Sequence, residues 1–300
     1  IVVVRDTDHE TWALLAAFDA APLCLRALSV HSTGVVAALN LGLHHTHGDI
    51  VSITDDDAAP RPDWLARIEQ HFLADPNVGG VGGRDWIHPP GKGGKTTADP
   101  IVGQVVGQVV GQVVGRVQWV GRVVGNHHLG MGEPRPVDIL KGVNMSYRRS
   151  AIASIRFDER MRGTGAQVHF EMAFSLALKK AGWSLIYDPA VAVDHYPAQR
   201  FDEDQRHQFD RQAQINQVHN ETLALLEHLS PIRRVVFLLW SIAIGTRNQR
   251  GLIQCLRFLP QEPLLSVQKC FASLQGRWQG WQTWQQSRLT PLQAPQKVVP

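Results

Sequence analysis

Three consecutive carboxylates end an apolar run at Ile50-Val-Ser-Ile-Thr-Asp55-Asp56-Asp57, and Pro62-Asp63-Trp64 follows a few residues later. Like charges side by side repel, so the arrangement implies a positive partner. Alternation along an extended chain puts Asp55 and Asp57 on one side and Asp56 on the other. Two converging carboxylates suit a hard divalent cation with oxygen ligands, Mg²⁺ or Mn²⁺, and such ions usually hold substrate phosphates as well. The spacing therefore points to the handling of a metal–diphosphate. A capping turn before a helix would also use Asp. The buried strand before the carboxylates and the Pro-Asp-Trp helix start after them favour the metal.

The elements that would position these residues alternate between strand and helix. Ile1-Val-Val-Val4 reads as a buried parallel strand, and residues 11–20 as a helix. A short strand is expected over 27–30, a helix over 35–45 and a second buried strand over 49–54. A helix then starts at Pro62-Asp63-Trp64, with strands over 78–83 and 138–143. A helix over 167–181 closes at Gly182; strands over 183–187 and 191–193 follow, the last running into Asp194-His195. A long polar helix or helix pair is expected over 201–229. Such alternation predicts a doubly wound, mostly parallel sheet with carboxylates at strand C-termini, where ligands bind in open α/β sheets. Residues 102–117 break the pattern with a four-residue VGQV repeat, read as an expanded loop insert, because glycine at every fourth position weakens a helix.

Composition excludes some classes of function. Three hundred residues with a net charge of +3 do not suggest a nucleic-acid partner. Cys24, Cys255 and Cys270 are far apart and form no zinc or disulfide pattern, which fits a reducing compartment. No signal peptide is visible. The chain opens inside a strand without Met, so an earlier strand or a leader is expected to be missing. His44, His45, His47, His127 and His128 lack partners at a familiar zinc spacing.

Four segments together resemble a family 2 glycosyltransferase of the GT-A fold, of the kind found in bacterial cell-surface polysaccharide synthesis. They are VVVRDTDHET, GVVAALNLGLHHTHGDIVSITDDDAAPRPDWL, LKGVNMSYRR and FDERMRGTGAQVHFEMAFSLALKKAGWSLIYDPAVAVDH, in that order over most of residues 1–200. The resemblance implies an inverting transfer of sugar from a nucleoside diphosphate, a UDP-sugar favoured, to a glycan or lipid-linked hydroxyl. It implies a metal at Asp57, Asp55 and His195, and donor contacts from Asp6, Asp8, Asp55 and Asp56. Glu171, eleven residues before Gly182, takes the place of the catalytic base. Gly142, Asn144 and Met145 fall on the acceptor side, in a segment that also holds Lys141. Arg200 stands within reach of a diphosphate, or pairs with Asp202 or Glu203. The chain departs from the family at Arg5, at Leu39 where an Arg is common, at Phe170-Glu171 where Glu-Asp is usual, and in lacking the first strand. These departures leave open an inactive or truncated relative that binds without turnover.

The remaining third of the chain is different. Residues 231–300 hold nine Lys/Arg and one acid, a balance of +8 against −5 for the rest. Arg233-Arg234 precede VVFLLWSIAIG, about half the roughly twenty residues a membrane span needs. Trp278, Trp281 and Trp284 recur every third residue. Basic residues with tryptophan suit a membrane–water interface, although tryptophan at this spacing also builds cores. The expectation is a catalytic domain over 1–200 and a helical, basic, Trp-rich region over 201–300, the whole cytoplasmic and peripheral on the inner face of the plasma membrane.

Overall fold

A computed structural model describes residues 1–18, 23–88, 113–198, 202–205 and 208–289. Strands β1 (Val2–Arg5) and β2 (Ala27–Val30) pair in parallel as a small sheet. Between them runs α1 (His9–Ala17), whose first turn is capped by Asp8. Helix α2 (Val35–His45) follows, then β3 (Ile50–Thr54), β4 (Ala58–Pro60), α3 (Trp64–Ala74) and β5 (Val78–Ile87). A short hairpin, β6 (Arg116–Val117) and β7 (Val123–Val124), precedes β8 (Arg135–Val137) and β9 (Asn144–Arg148). Helix α4 (Phe170–Lys180) leads into β10 (Ser184–His195). Four helices complete the described chain: α5 (Arg211–His228), α6 (Pro231–Ala243), α7 (Leu252–Phe258) and α8 (Pro263–Leu289).

The main sheet runs β3-β9-β5-β10-β4, with β8 also on β10. It is more mixed than the mostly parallel sheet expected. Only β5 and β10 run parallel, while β9 is antiparallel to both its neighbours and β10 is antiparallel to β4 and β8. The helices lie on both faces. Trp64, Ile68 and Phe72 of α3 pack with Val81, Val191 and Val193 on one side. On the other, Met172, Phe174 and Leu178 of α4 pack with Leu140, Tyr147 and Leu185. Burying both faces explains why the central strands read as unbroken apolar runs.

Three expected strands changed. The strand expected over 138–143 lies to either side, in β8 and β9, because Asp138 leaves the ladder to pair with Lys179 and accept from the Val117 amide at 2.9 Å. The two strands expected over 183–187 and 191–193 are one, β10, which continues through Asp188-Pro189 by a bulge between Asp188 and Val193. At that bulge a Cβ on Gly83 would stand 1.7 Å from the Val191 carbonyl oxygen, so the close approach of β5 requires glycine. Of the 102–117 repeat, 102–112 lie outside the described residues. Its end belongs to the fold: Val114 is buried, and the Gly115 carbonyl accepts from the Asp138 amide at 2.6 Å and the Ile139 amide at 3.0 Å.

The C-terminal helices form a second layer on α4. Within the stretch expected to be a polar helix, α5 begins only at Arg211. It carries Val218, Leu223 and Leu225 in the interior, together with buried His219, Asn220 and Glu221. It packs on α4 and α8. Buried Arg277 of α8 faces Glu221 at 3.5 Å and donates to Gln249 at 3.1 Å. The tryptophan stripe is largely interior: Trp284 is buried, Trp281 half-buried and only Trp278 exposed. A three-residue spacing drifts around a helix of 3.6 residues per turn and cannot hold one outward face.

Candidate active site

Strand β3 delivers the carboxylates, and β10 delivers the histidine. The hydroxyl of Thr54 donates to the Val143 carbonyl at 3.0 Å, which ties the end of β3 to the segment before β9. The chain then turns through Asp55–Asp57, closed by the Ala58 amide on the Asp55 carbonyl at 3.3 Å. It re-enters the sheet as β4, with Ala58 opposite His195. This register sets Asp57 beside the histidine, Oδ1 to Nε2 at 3.3 Å. The segment after β10 folds over the turn: the Tyr196 amide donates to the Asp57 carbonyl at 2.8 Å, and the Ala198 amide to its carboxylate at 2.9 Å.

Asp55, Asp57 and His195 each offer a ligand atom, all within 4.8 Å of one another. Asp56 is exposed and stands apart, as alternation predicts. His195 is buried, and neither ring nitrogen has a hydrogen-bond partner. A buried imidazole beside two carboxylates is a donor set that could hold a divalent cation. The Asp55 carboxyl is pushed up to about 6. Its outer edge meets solvent, but crowding by surrounding protein contributes most, then the Asp57 charge. His195 opposes the rise, while Asp56 and Glu171 add to it. Positive charge placed between these groups would relieve the repulsion.

Glu171 is the second residue of α4, half-buried, with no hydrogen bond or ion pair to another described residue. Its field reaches Asp55 and the buried Tyr147 hydroxyl. The loop before α4 is strained, with Gln167 at φ 42° and His169 at φ 78°. Gln167 also fixes the start of α2. Its side-chain oxygen accepts from the Val36 amide at 2.9 Å and its amide donates to the Met161 carbonyl at 2.7 Å. Gly34 permits this approach, since a Cβ there would meet that oxygen at 2.3 Å.

Of the residues expected to meet the acceptor, Gly142 lies against Phe170, the residue before Glu171; a Cβ on Gly142 would meet that ring at 2.9 Å. Asn144 is buried and its amide is engaged. It accepts from the Trp64 indole at 2.9 Å and donates to the Val191 carbonyl at 2.8 Å. Met145 has no exposed surface and receives the Tyr147 hydroxyl on its sulfur at 3.3 Å. Both residues expected on the acceptor side, Asn144 and Met145, are thus buried with their polar atoms engaged inside the protein.

Asp6 and Asp8 sit beyond the end of β1. The carboxylate of Asp6 accepts from Arg5 at 3.1 Å and pairs with His31 at 2.8 Å. That of Asp8 caps α1, accepting the Thr11 amide at 3.0 Å and hydroxyl at 2.7 Å. These partners hold both carboxyls below the usual range, the His31 bond leading for Asp6 and the Thr11 hydroxyl for Asp8. Arg200 lies outside the described residues. Among the described residues, Glu203 accepts from the Thr164 amide at 3.0 Å and Asp202 from the Ala166 amide at 2.9 Å.

One residue of the site was not singled out from the sequence. Asp85, on β5, has no exposed surface, pairs with Lys141 and lies 3.7 Å from His195 Nδ1. Burial raises its carboxyl, but His195 and the Lys141 ammonium outweigh burial and hold it below its ordinary value. The signal was a lone carboxylate at the end of the glycine-rich run VGGVGGRDW, where a buried strand has no ordinary use for charge.

Residues 1–118 match the sequence profile of glycosyl transferase family 2. That match takes in 118 of the 300 residues and is a likeness to the family over the first part of the chain. Among solved structures, GalNAc-T7 with UDP, GalNAc and Mn²⁺ aligns with 97% of this chain and 52% of its own at 12% identity, TM-score 0.56. The chain thus spans about half the length of that relative, and the likeness is one of fold: a GT-A-like core with flanking helices. The mannosyltransferase PcManGT from Pyrobaculum calidifontis, in complex with GDP-Man and Mn²⁺, aligns over 97% of this chain and 78% of its own at 15% identity, TM-score 0.46. Comparison with curated protein sequences gives no match. The family match ends at residue 118, just past the 102–117 repeat, so α4, β10 and the helices beyond lie outside it.

Proposed function

We propose that this protein is a metal-dependent, inverting glycosyltransferase. It moves a sugar from a nucleoside-diphosphate sugar to a hydroxyl of a glycan or lipid-linked acceptor. The observation that carries this reading is the convergence of Asp55, Asp57 and His195 at strand ends, in a chain whose residues 1–118 match the family 2 profile. These three residues would hold the cation. An imidazole beside two carboxylates favours Mn²⁺ over Mg²⁺, which prefers oxygen ligands alone. A divalent ion there supplies charge that offsets what gathers on the leaving diphosphate. The solved GalNAc-T7 holds UDP with Mn²⁺, which makes UDP-sugars the first donors to test.

Glu171 is the base in this reading. It takes the proton of the acceptor hydroxyl as that oxygen attacks the anomeric carbon, an effect typically worth about 10²–10⁴-fold. One base and one direct displacement invert the centre. Its unpaired carboxylate at the head of α4 is what the role requires. Asp6 or Asp8 reads the nucleobase, Asp56 and Arg200 meet the donor, and the segment of Gly142, Asn144 and Met145 shapes the acceptor side. A cytoplasmic position on a membrane face belongs to the same reading.

Calorimetric titration with UDP, GDP, CMP and dTDP, each with and without Mn²⁺, tests it. Asp57→Ala is expected to lose the metal-dependent part of nucleotide binding. Glu171→Gln is expected to keep donor binding while transfer falls by about 10²–10⁴-fold. Unchanged metal dependence in the first, or full transfer in the second, would remove that residue from its role.

A further inference from the structure

Helices α6, α7 and the first half of α8 leave an apolar surface that no described part of the chain covers. On α6, Ile232, Val235, Leu239 and Ile242 are all exposed, Ile232 by 72% and Leu239 by 66%. Their spacing of three, four and three residues puts them on one stripe, while Phe237 and Ser241 are buried and Leu238 packs against the core. On α7 no residue is buried, and Leu252, Ile253 and Leu256 face solvent. On α8, Leu264, Val267 and Phe271 continue an exposed line at helical spacing. The three helices are neighbours in space: α6 turns into α7 through the Gly245–Arg250 bridge, and α7 packs on α8.

Charge identifies what covers this surface. Between residues 231 and 300 the sole acid is Glu262, and it pairs with buried Arg250. Arg247, Arg257 and Arg288 remain exposed, the first two beside the α7 stripe. A second copy of the chain would bring one basic face against another. An acidic surface matches it. None of the described helices is long and apolar enough to cross a bilayer, and α6, with thirteen residues, is roughly 20 Å long. Short helices with an apolar stripe and basic flanks lie in the plane of the interface.

We propose that α6, α7 and the N-terminal half of α8 form the contact with an anionic lipid surface, with the α6 and α7 stripes inserted among the acyl chains and Arg247 and Arg257 against the headgroups. This moves the contact away from the tryptophan stripe. It refines the membrane part of the proposed function and stands apart from the transfer chemistry, because vesicle binding is read without donor or acceptor.

The test is co-flotation of the full chain with phosphatidylcholine vesicles, and with vesicles of phosphatidylcholine mixed with phosphatidylglycerol. Binding is expected only to the anionic vesicles, stronger by roughly a hundredfold at low salt and falling with added salt. Leu239→Glu and Leu256→Glu should each release the protein, with thermal unfolding unchanged. Leu73→Glu, at a position 78% exposed on α3, should bind as before. Absence of binding to anionic vesicles overturns the proposal, as does equal binding to neutral ones. A dimer in sedimentation velocity that Leu239→Glu dissociates would also overturn it, assigning the face to a second copy.

Discussion

Asp85→Asn is the most informative change to the site. Asp85 is fully buried between the Lys141 ammonium and the Nδ1 edge of His195. A carboxylate behind a ligating imidazole fixes its orientation and raises its basicity, and loss of such a partner typically weakens metal binding about 10–100-fold. Breaking a fully buried ion pair costs about 3–5 kcal/mol. Here Lys141 is one-third exposed, and the amide oxygen of Asn still accepts its hydrogen bond. The expected loss of stability is therefore only about 1–2 kcal/mol. Mn²⁺ titration followed by the electron paramagnetic resonance of the free ion gives the affinity without any turnover. Thermal unfolding gives the stability. In a His195→Ala background the Asn substitution should cause no further loss of Mn²⁺ affinity, because its effect travels through the ring. A variant that unfolds earlier yet binds Mn²⁺ as tightly as the parent would refute the reasoning and leave Asp85 a purely structural partner of Lys141.

Two further outcomes depend on pH. Asp55 holds its proton up to about 6, and a cation must displace that proton, so Mn²⁺ affinity should fall as pH drops through 6; a flat profile between pH 5 and 8 would exclude Asp55 as a ligand. Stability should also decline in acid. His127, His219 and His228 are each lowered to about 4, burial being the leading cause. The unfolded chain binds protons on them from about 6.5 downward while the fold does not. Their contribution is complete above pH 6.5 and is lost as pH falls from there to about 4, by about 1.4 kcal/mol per pH unit for each. Melting temperatures across pH 4–8 check the slope. His219→Gln should flatten it, since that ring sits wholly inside between Asn220 and Thr283.

Much of the site was readable along the chain because strand ends announce themselves. An apolar run stopped by Asp55-Asp56-Asp57 marks a strand C-terminus, and the observed turn places Asp55 and Asp57 together with Asp56 apart. His195 was named through the family resemblance, at the end of the strand VAVDH. What failed has a common cause. Local pattern cannot report a bulge, so β10 read as two strands; it cannot report that Asp138 is drawn out of a ladder by Lys179, so the strand over 138–143 was misplaced. Nor can it report which side of a helix meets the body, so the tryptophans read equally as interface or core, and two of the three turn toward the interior.

The amino-acid sequence by itself determined the alternation of strands and helices, the carboxylate turn and the basic character of the last third, because each follows from neighbours within a few residues. The tertiary structure alone decided the rest. Pairing of β4 with β10 sets Asp57 against His195, 138 positions away, and pairing of β10 with β5 brings up Asp85 behind it. Contacts between distant residues depend on strand order and register, and these are chosen by the burial of whole faces rather than by any local run of residues.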